Sequence, residues 1–397
     1  MPNIVANRAE VWGAWAALHC KLDGKIAESN GLGIFAARAH RPGDILLRVP
    51  KTLMISAETK LDGVVGTEMA QWVAQCPGSG AHKLHKVVVC LALAESSVWT
   101  PYFKLLPSPQ ELHLPYAWNK SESESLVGTS IGDAVAAKQR FTDALMEACP
   151  SLDRMTPALW YLAYEWISSR SLTHPETGDA VLVPVLDLLN HSNDANARYD
   201  VEGDDFVAIA TRPIAQGSEV CIDYGPRAAG EFLFKYGFIP PNPDTAITRP
   251  YDPMEPEIRA LLDLSLDPDV PDEETRKMLE AAYAILYQFV GRAVFAITDN
   301  KWHDAFLVLL ACEDLIELKC VNGVYDLYYG GEPVVPERIH EFCRNPQVEV
   351  RAQELAMALA HHFIAALPPA TGLAKDLVEH EKAIYEELIA WAAKSEL

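Results

Sequence analysis

Short apolar runs that stop at turn residues mark two β-rich regions of the chain. In the first, Gly31–Ala36 and Asp44–Val49 flank Arg41–Gly43, where a Pro-Gly step predicts a turn because Pro fixes φ and Gly accepts a positive φ. A similar unit recurs where Phe206–Thr211 and Glu219–Ile222 flank a segment that ends in Gln-Gly. The pattern therefore predicts pairs of short strands that are joined through glycine turns.

Helical spacing of apolar residues dominates elsewhere. Arg8–Cys20 reads as one short helix, and the stretch between the two β-rich regions, about residues 60–170, is largely helical. Near the C-terminus, Met278–Val290 and Leu377–Trp391 repeat apolar residues at helical intervals. Residues 317–333, with several tyrosines and a Gly-Gly step, are either a loop or a hairpin.

A proline-rich segment, Pro240–Asp244, separates the β-rich part from the helical C-terminal part. We therefore expect an α+β chain with two domains. The first is a domain of short strands over residues 1–244 with a helical insertion at about 60–170, and the second is an all-α domain over residues 245–397.

Composition narrows the function classes. The chain has 397 residues, of which 49% are hydrophobic and 22% charged, which is typical of a globular protein long enough for two domains. Its formal net charge of −22 argues against a nucleic-acid partner, because phosphate neutralisation needs clustered Lys and Arg. The same charge suits a partner that presents lysines.

The eight cysteines are scattered and none lies in a C-x-x-C pair. Neither a metal site nor a disulfide framework is therefore expected. No apolar run reaches the roughly 18 residues that span a bilayer. The N-terminus lacks the pattern of a secretory or transit segment, which predicts a cytoplasmic or nuclear protein. An organellar form stays open, since a removed presequence leaves no trace.

Polar residues follow two apolar segments at the points where strands are expected to end. Asp187–Ser192 closes the apolar run that begins at Val181, and Cys221–Gly225 ends in a Tyr-Gly step. Functional sites on rigid scaffolds are usually built at such ends. We therefore expect the functional site here.

These segments resemble the SET-domain methyltransferases of the Rubisco large-subunit lysine methyltransferase type. Other motifs occur in the order found in that subfamily. They are Gly31–Ala36, Ser97–Tyr102 with Leu105–Pro107, Ser168–Leu172, Lys235–Phe238, and Ala366–Thr371 with Asp376-Leu377. Any one of them is weak evidence, whereas the ordered set is specific.

The resemblance implies a fold and an activity. The fold is a SET domain of short strands with a pseudoknot, in which the Asn-His segment threads through the loop that carries Tyr-Gly, followed by a helical substrate-binding domain. The activity is transfer of a methyl group from S-adenosylmethionine to a lysine of a non-histone protein. The partner is a protein that presents this lysine, and we expect neither a membrane nor a nucleic acid as partner, and a monomer.

The resemblance also implies which residues bind the cofactor. Asn30, Gly31, Leu32 and Gly33 match its first loop, Asn190 and His191 match the pair that contacts it, and Arg170 matches an arginine near its carboxylate. The alternatives are a simple turn for Asn190-His191 and a surface salt bridge for Arg170.

Four residues match positions on the substrate side. Tyr224 matches the catalytic tyrosine, Tyr236 a second tyrosine of the lysine channel that also meets the cofactor, and Tyr199 a substrate-side tyrosine. Tyr224 could instead be a half-buried aromatic residue at a strand end, and Tyr236 a core aromatic residue beside Phe234 and Phe238. Asp187 either caps a backbone turn or helps to line the channel.

Two positions depart from the pattern. Asn30 stands where the Rubisco-type enzymes carry an acidic residue, so the contribution of that loop to cofactor affinity is in doubt. Leu172 stands where actin-histidine methyltransferases carry Asn, and it cannot hydrogen-bond an imidazole. Lysine is therefore favoured over histidine as the acceptor. The third reading is a non-catalytic protein that keeps the SET scaffold for binding.

Overall fold

The computed structural model describes residues 4–29, 31–61, 64–251, 293–298, 301–304, 307–308, 311, 316–321, 324–333 and 341–395. The helices of these segments are α1 (Ile4–His19), α2 (Thr67–Gln75), α3 (Ala81–Leu93), α4 (Thr100–Leu105), α5 (Pro109–Leu112), α6 (Lys120–Glu124), α7 (Gly132–Glu147), α8 (Pro157–Arg170), α9 (Ala229–Tyr236), α10 (Pro346–Ala366) and α11 (Gly372–Ser395).

The strands of the same segments are short. They are β1 (Lys21–Leu22), β2 (Gly24–Ser29), β3 (Gly31–Ala36), β4 (Ile45–Val49), β5 (Leu172–Thr173), β6 (Ala180–Val181), β7 (Asn190–His191), β8 (Ala197–Glu202), β9 (Asp205–Ala210), β10 (Glu219–Ile222), β11 (Ile247–Tyr251), β12 (Ala293–Thr298), β13 (Lys301–His303), β14 (Ile316–Val321), β15 (Val324–Tyr329) and β16 (Glu332–Pro333).

The chain divides into two compact units. Unit 1 comprises Met1–Ala117, Ala137–Pro226 and Lys235–Gly237. Unit 2 comprises the rest, namely Trp118–Ala136, Arg227–Phe234 and Phe238–Leu397. The domain boundary expected at residue 244 stays a prediction.

Unit 1 contains the two four-stranded sheets β1-β4-β9-β8 and β2-β3-β10-β7. Both predicted glycine turns are present, with φ of +90° at Gly43 and +81° at Gly217. The strands that flank one turn pair with those that flank the other, because β3 runs antiparallel to β10 and β4 antiparallel to β9. A further antiparallel bridge joins His40 to Ile214. The two similar sequence units therefore lie against each other.

The helical insertion is confirmed by helices α2 to α8. Helix α3 buries Leu84, Val87, Val88 and Leu91, which share one face at helical spacing. Helix α8 begins after Thr156, whose side chain accepts a hydrogen bond from the Leu159 amide at 3.2 Å, and it ends at Arg170. The last residue of this helix, Arg170, is therefore one of the predicted site residues.

The C-terminal part is not all-α as expected, although the α+β class is confirmed. It contains the sheets β11-β12-β13 and β14-β15-β16 as well as helices α10 and α11. Strand β15 carries three tyrosines, a Val and a Leu, and such side chains fit a pleated, half-buried surface better than a helix. Of the two readings for residues 317–333, the hairpin is correct. The helical spacing of Met278–Val290 lies outside the described residues.

An aromatic core holds unit 2 together. The rings of Phe295 and Phe363 lie 5.7 Å apart, and those of Phe363 and Tyr385 lie 5.9 Å apart. Leu377, Ile384 and Leu388 of α11 are buried, as their spacing predicts, whereas Trp391 of the same predicted face is exposed. Within the described segments, no helix combines the length and apolarity needed to cross a membrane.

Candidate functional site

The two motif segments of unit 1 lie side by side. Strand β7 pairs in parallel with β10, placing Asn190 opposite Cys221 and His191 opposite Ile222. The Ser192 amide then donates to the Ile222 carbonyl at 3.1 Å. The predicted meeting of the Asn-His segment with the segment that leads to Tyr-Gly is therefore present.

Asn196 holds the chain that follows β7 against strand β10. Its side-chain amide donates to the Glu219 carbonyl at 2.8 Å, and its side-chain oxygen accepts from the Cys221 amide at 2.9 Å. Together with the Asn196 amide, which donates to the Cys221 carbonyl at 3.2 Å, these bonds continue the pairing where regular ladder bonds stop. The segment between Ser192 and Asn196 is thus held at both ends.

The glycine loop approaches Asn190 closely. The Asn190 side-chain amide donates to the Leu32 carbonyl at 3.2 Å and to Oε1 of Glu219 at 2.7 Å. A Cβ on Gly33 would lie 2.5 Å from Glu219 Oε1 and 3.0 Å from Asn190 Nδ2, so a larger residue would displace the Glu219 side chain. Gly31 has a φ of +94°, which also favours glycine. Asn30 lies outside the described residues.

Tyr224 is fixed through both its backbone and its side chain. Its hydroxyl donates to the Leu189 carbonyl at 2.9 Å, and its amide donates to Nδ1 of His191 at 3.2 Å. Nδ1 is therefore the acceptor nitrogen of this imidazole, and Nε2, 2.7 Å from Asn193 Oδ1, carries the proton.

Tyr224 also belongs to an aromatic pair. Its ring centroid lies 4.7 Å from that of Tyr236, at an interplanar angle of 40°. Burial raises the pKa of Tyr224 well above its usual value, although the positive charge of Arg170 opposes the shift. The hydroxyl of Tyr224 is therefore neutral at physiological pH and serves as a hydrogen-bonding group.

A buried carboxylate lies beneath the Asn-His segment. Asp187 lies in a short 3-10 helix, Leu186–Leu188, and its side chain is fully buried. Its Oδ2 accepts a hydrogen bond from the Tyr102 hydroxyl at 3.0 Å and lies 3.7 Å from Nη1 of Arg170. Arg170 Nη1 also donates to the Asp187 carbonyl at 3.1 Å. The carboxylate of Asp187 therefore contacts a hydroxyl and a guanidinium.

The turn that carries Asp187 starts from a strained residue. Val185 is fully buried and has φ of +74° and ψ of −44°, a conformation that β-branched residues rarely adopt. Such strain persists only where the surrounding packing enforces it, and it is common near functional sites. Here it accompanies the turn that directs Asp187 into the interior.

Of the predicted site residues, Leu32, Gly33, Asn190, His191 and Tyr224 are joined by direct contacts, with Tyr236 stacked beside Tyr224. A second group joins Arg170 to Asp187. Tyr199 lies in the other sheet, on β8, where its hydroxyl donates to the Thr173 carbonyl at 3.1 Å. Its substrate-side role stays a prediction.

Sequence reasoning missed three residues of this site. Tyr102 lies in a motif that contributed to the resemblance, but its spacing gives no hint that it would contact Asp187, 85 residues away. Glu219 and Asn196 look like ordinary polar residues of a strand and a loop. Among the described residues, no cluster of His, Cys, Asp or Glu could hold a metal ion.

The chain resembles several known proteins. Residues 31–225 match the SET domain family. Human N-lysine methyltransferase SETD6 is 28% identical over 235 residues, which is 54% of this chain and 49% of that protein. The actin-histidine N-methyltransferase of Canis lupus familiaris is 26% identical over 230 residues, 53% of this chain and 38% of that protein.

A solved structure of the SET domain of LSMT bound to lysine and AdoHcy superposes with a TM-score of 0.65, covering 100% of this chain and 92% of that chain. At 18% identity, this match shows the shared fold. The chain spans about half the length of the SETD6 protein that it matches. Residues 31–225 therefore carry the SET domain that the motifs predict.

Proposed function

We propose that this chain, whose residues 31–225 match the SET domain family, is a protein-lysine N-methyltransferase that uses S-adenosylmethionine. The observation that carries the proposal is the junction of the two motif segments. There Asn190 donates to the Leu32 carbonyl of the glycine loop, and Tyr224 donates to Leu189 and His191, the neighbours of Asn190 in the chain.

The cofactor fits the residues of this junction. Space for a ligand is open at Gly31, where an added Cβ would meet nothing within 4 Å, and Asn190 supplies a polar side chain near the same loop. Arg170 supplies a positive charge for a carboxylate, and its Nε is a buried donor with no hydrogen-bond partner among the described residues. When bound, S-adenosylmethionine supplies an electrophilic methyl group on a sulfonium.

Tyr224 and Tyr236 would form the walls of the lysine channel. A lysine amine has a pKa of about 10.4 and cannot attack a methyl group while it is protonated. Aromatic walls exclude water, which disfavours the ammonium form and lowers the pKa of the lysine. The Tyr224 hydroxyl donates its hydrogen bond to the Leu189 carbonyl, so the lone pairs of its oxygen can accept a hydrogen bond from the amine.

The protein's contribution to the reaction would be positional. Holding donor and acceptor in line at near-attack distance can supply roughly 7–11 kcal/mol of a barrier. The hydrogen bonds of Tyr224 and Asn190 limit the movement of these side chains, which would orient the amine. The rigidity of the junction therefore serves the proposed transfer directly.

Lysine is the proposed acceptor, although a histidine methyltransferase is among the relatives at similar identity. Leu172 is apolar and lies in β5, two residues after Arg170. An imidazole needs a hydrogen-bonding partner to fix its ring orientation, and Leu172 does not supply one. Mass spectrometry of the modified product separates the two acceptors.

The substrate is proposed to be a non-histone protein that presents a lysine. The net charge of −22 favours a partner with a basic surface around that lysine. A monomeric state and a cytosolic or nuclear location stay predictions.

The test is label transfer from methyl-labelled S-adenosylmethionine into a cell extract, with Tyr224→Phe and Tyr161→Phe compared to the unchanged protein. Tyr161 lies on α8 and donates to Asp143 outside the site, so it is the matched control. We expect a labelled lysine that is at least about 100-fold weaker with Tyr224→Phe, because small displacements of an oriented group can cost about this much, and undiminished with Tyr161→Phe. Equal labelling by Tyr224→Phe with an intact fold would remove Tyr224 from the mechanism. If the protein neither labels nor binds S-adenosylhomocysteine, the non-catalytic scaffold is the correct reading.

A further inference from the structure

The helical insertion contributes Tyr102 of α4 to the candidate site, in addition to Arg170 at the end of α8. The ring of Tyr102 is fully buried and packs edge-on against Trp12, with ring centroids 5.6 Å apart, and against Phe103 at 5.1 Å. Just before it, the Trp99 indole donates to the Leu53 carbonyl at 2.8 Å, which anchors the start of the helix. The hydroxyl of Tyr102 is therefore held at a fixed point of the core.

That hydroxyl meets a carboxylate that has few other partners. Asp187 Oδ2 accepts from Tyr102 at 3.0 Å, whereas Oδ1 is buried with no hydrogen-bond partner among the described residues. A buried carboxylate is costly unless hydrogen bonds and a counter-charge compensate it. At this site the compensation comes from Tyr102 and Arg170.

The contact continues into the site through the main chain. Arg170 donates to the Asp187 carbonyl, and two residues later the Leu189 carbonyl accepts from Tyr224. The segment from Asp187 to Leu189 therefore holds both Arg170 and Tyr224. A shift of Asp187 would move the main-chain carbonyls of Asp187 and Leu189, which accept hydrogen bonds from Arg170 and Tyr224.

We propose that Tyr102 is a positioning residue of the site, whose hydroxyl acts through the Asp187 carboxylate to hold the Arg170 guanidinium in place. The inference rests on the proposed function, because Arg170 is the residue assigned to the cofactor. It gives the helical insertion a role in cofactor affinity.

The test is calorimetric binding of S-adenosylhomocysteine to the full chain. Tyr102→Phe keeps the packed ring and removes only the hydroxyl, and we expect its Kd to rise about tenfold, the equivalent of about 1.4 kcal/mol. Tyr161→Phe, which removes another tyrosine–aspartate bond in unit 1, should bind as the unchanged protein does.

A double substitution tests whether the effect passes through Asp187. Asp187→Asn keeps the shape of the side chain and removes its charge. If Tyr102 acts through Asp187, adding Tyr102→Phe to Asp187→Asn should change the Kd by less than about threefold, since effects within one network are not additive. A full tenfold additional loss would show that Tyr102 acts by another route and would overturn the proposal.

The pH dependence gives a readout that a purely structural role would not move. Burial raises the pKa of Asp187, and Arg170 and the Tyr102 hydroxyl oppose the shift; Tyr224 is a further titratable group that senses its charge. Without the Tyr102 hydroxyl the pKa of Asp187 rises further, so protonation removes the counter-charge of Arg170 at a higher pH. The loss of affinity in Tyr102→Phe should therefore grow as the pH is lowered.

The outcomes separate this inference from the proposed function. If the unchanged protein binds S-adenosylhomocysteine and Tyr102→Phe binds equally well, even with a lower melting temperature, Tyr102 is only structural and the inference is wrong. If the unchanged protein does not bind at all, the proposed function fails and the inference fails with it.

Discussion

Replacing Gly33 by Ala tests the closeness of the glycine loop to Asn190. The new Cβ would lie 2.5 Å from Oε1 of Glu219, a distance that real side chains do not tolerate. Glu219 Oε1 is the end of a flexible side chain, so the carboxylate can rotate away without moving the backbone. In doing so it gives up the 2.7 Å hydrogen bond from the Asn190 amide.

The magnitude follows from that hydrogen bond. A bond to a charged group contributes about 1.5–3 kcal/mol, and the half-buried position of Glu219 favours the lower end of this range. Replacing a strand glycine by Ala returns roughly 0.5–1 kcal/mol of backbone entropy. We therefore expect Gly33→Ala to lower the free energy of unfolding by about 1 kcal/mol.

The matched control is Gly13→Ala in helix α1, where a Cβ meets nothing within 4 Å. Because Ala is favoured over Gly in a helix interior, this variant should be more stable by about 0.5–1 kcal/mol. The two Gly-to-Ala variants should therefore differ by about 2 kcal/mol in urea unfolding. Gly33→Ala should also weaken the binding of S-adenosylhomocysteine, whereas Gly13→Ala should not.

Removing the obstructing side chain checks the cause. In a Glu219→Ala background, adding Gly33→Ala should be nearly neutral, because the Oε1 contact is gone and only the 3.0 Å approach to Asn190 Nδ2 remains. If Gly33→Ala is as stable as Gly13→Ala and binds the ligand equally well, the close approach does not exist and the argument is refuted.

Two further predictions concern buried carboxyl groups. Burial raises the pKa of Glu165 to about 7 from 4.5, so the folded state binds its proton more tightly than the unfolded state, and stability should fall as the pH rises from about 4.5 to 7. Glu165→Gln should remove this slope and be more stable at pH 8 by about 2 kcal/mol in urea unfolding; an unchanged slope would mean that Glu165 does not titrate in this range. In unit 2, the buried carboxylate of Glu381 accepts from both the amide and the hydroxyl of Ser130. Ser130→Ala should lower the unfolding free energy by about 1.5 kcal/mol, and no change in the urea midpoint would show that the hydroxyl contributes nothing.

Local chemistry made much of the fold predictable. The turns at Pro42-Gly43 and Gly217 follow from residues that fix or free φ, and the helical insertion follows from apolar spacing. The turns and helices depend on residues close together in the sequence. The meeting of the Asn-His segment with the Tyr-Gly segment was instead implied by the family resemblance that the ordered motifs carry.

The partners of side chains were less predictable, because they depend on long-range register. Nothing near Tyr102 indicates Asp187, and nothing near Asn190 indicates Glu219. The all-α expectation for the C-terminal part failed for a related reason. The strong periodicity of helix α11 was extended to neighbouring segments whose β-branched and aromatic residues form strands.

The pairing of β3 with β10 has a consequence for how the chain is made. Roughly 190 residues separate the glycine loop from the Tyr-Gly step, so a ribosome adding about 5–20 residues per second needs on the order of 10–40 s to supply the partner. During that interval the edge of β3 is exposed while the insertion helices can already form from local contacts. Within this sheet, β10 is the last strand to emerge and completes both the sheet and the candidate site, so a premature stop before it leaves the edge of β3 unpaired.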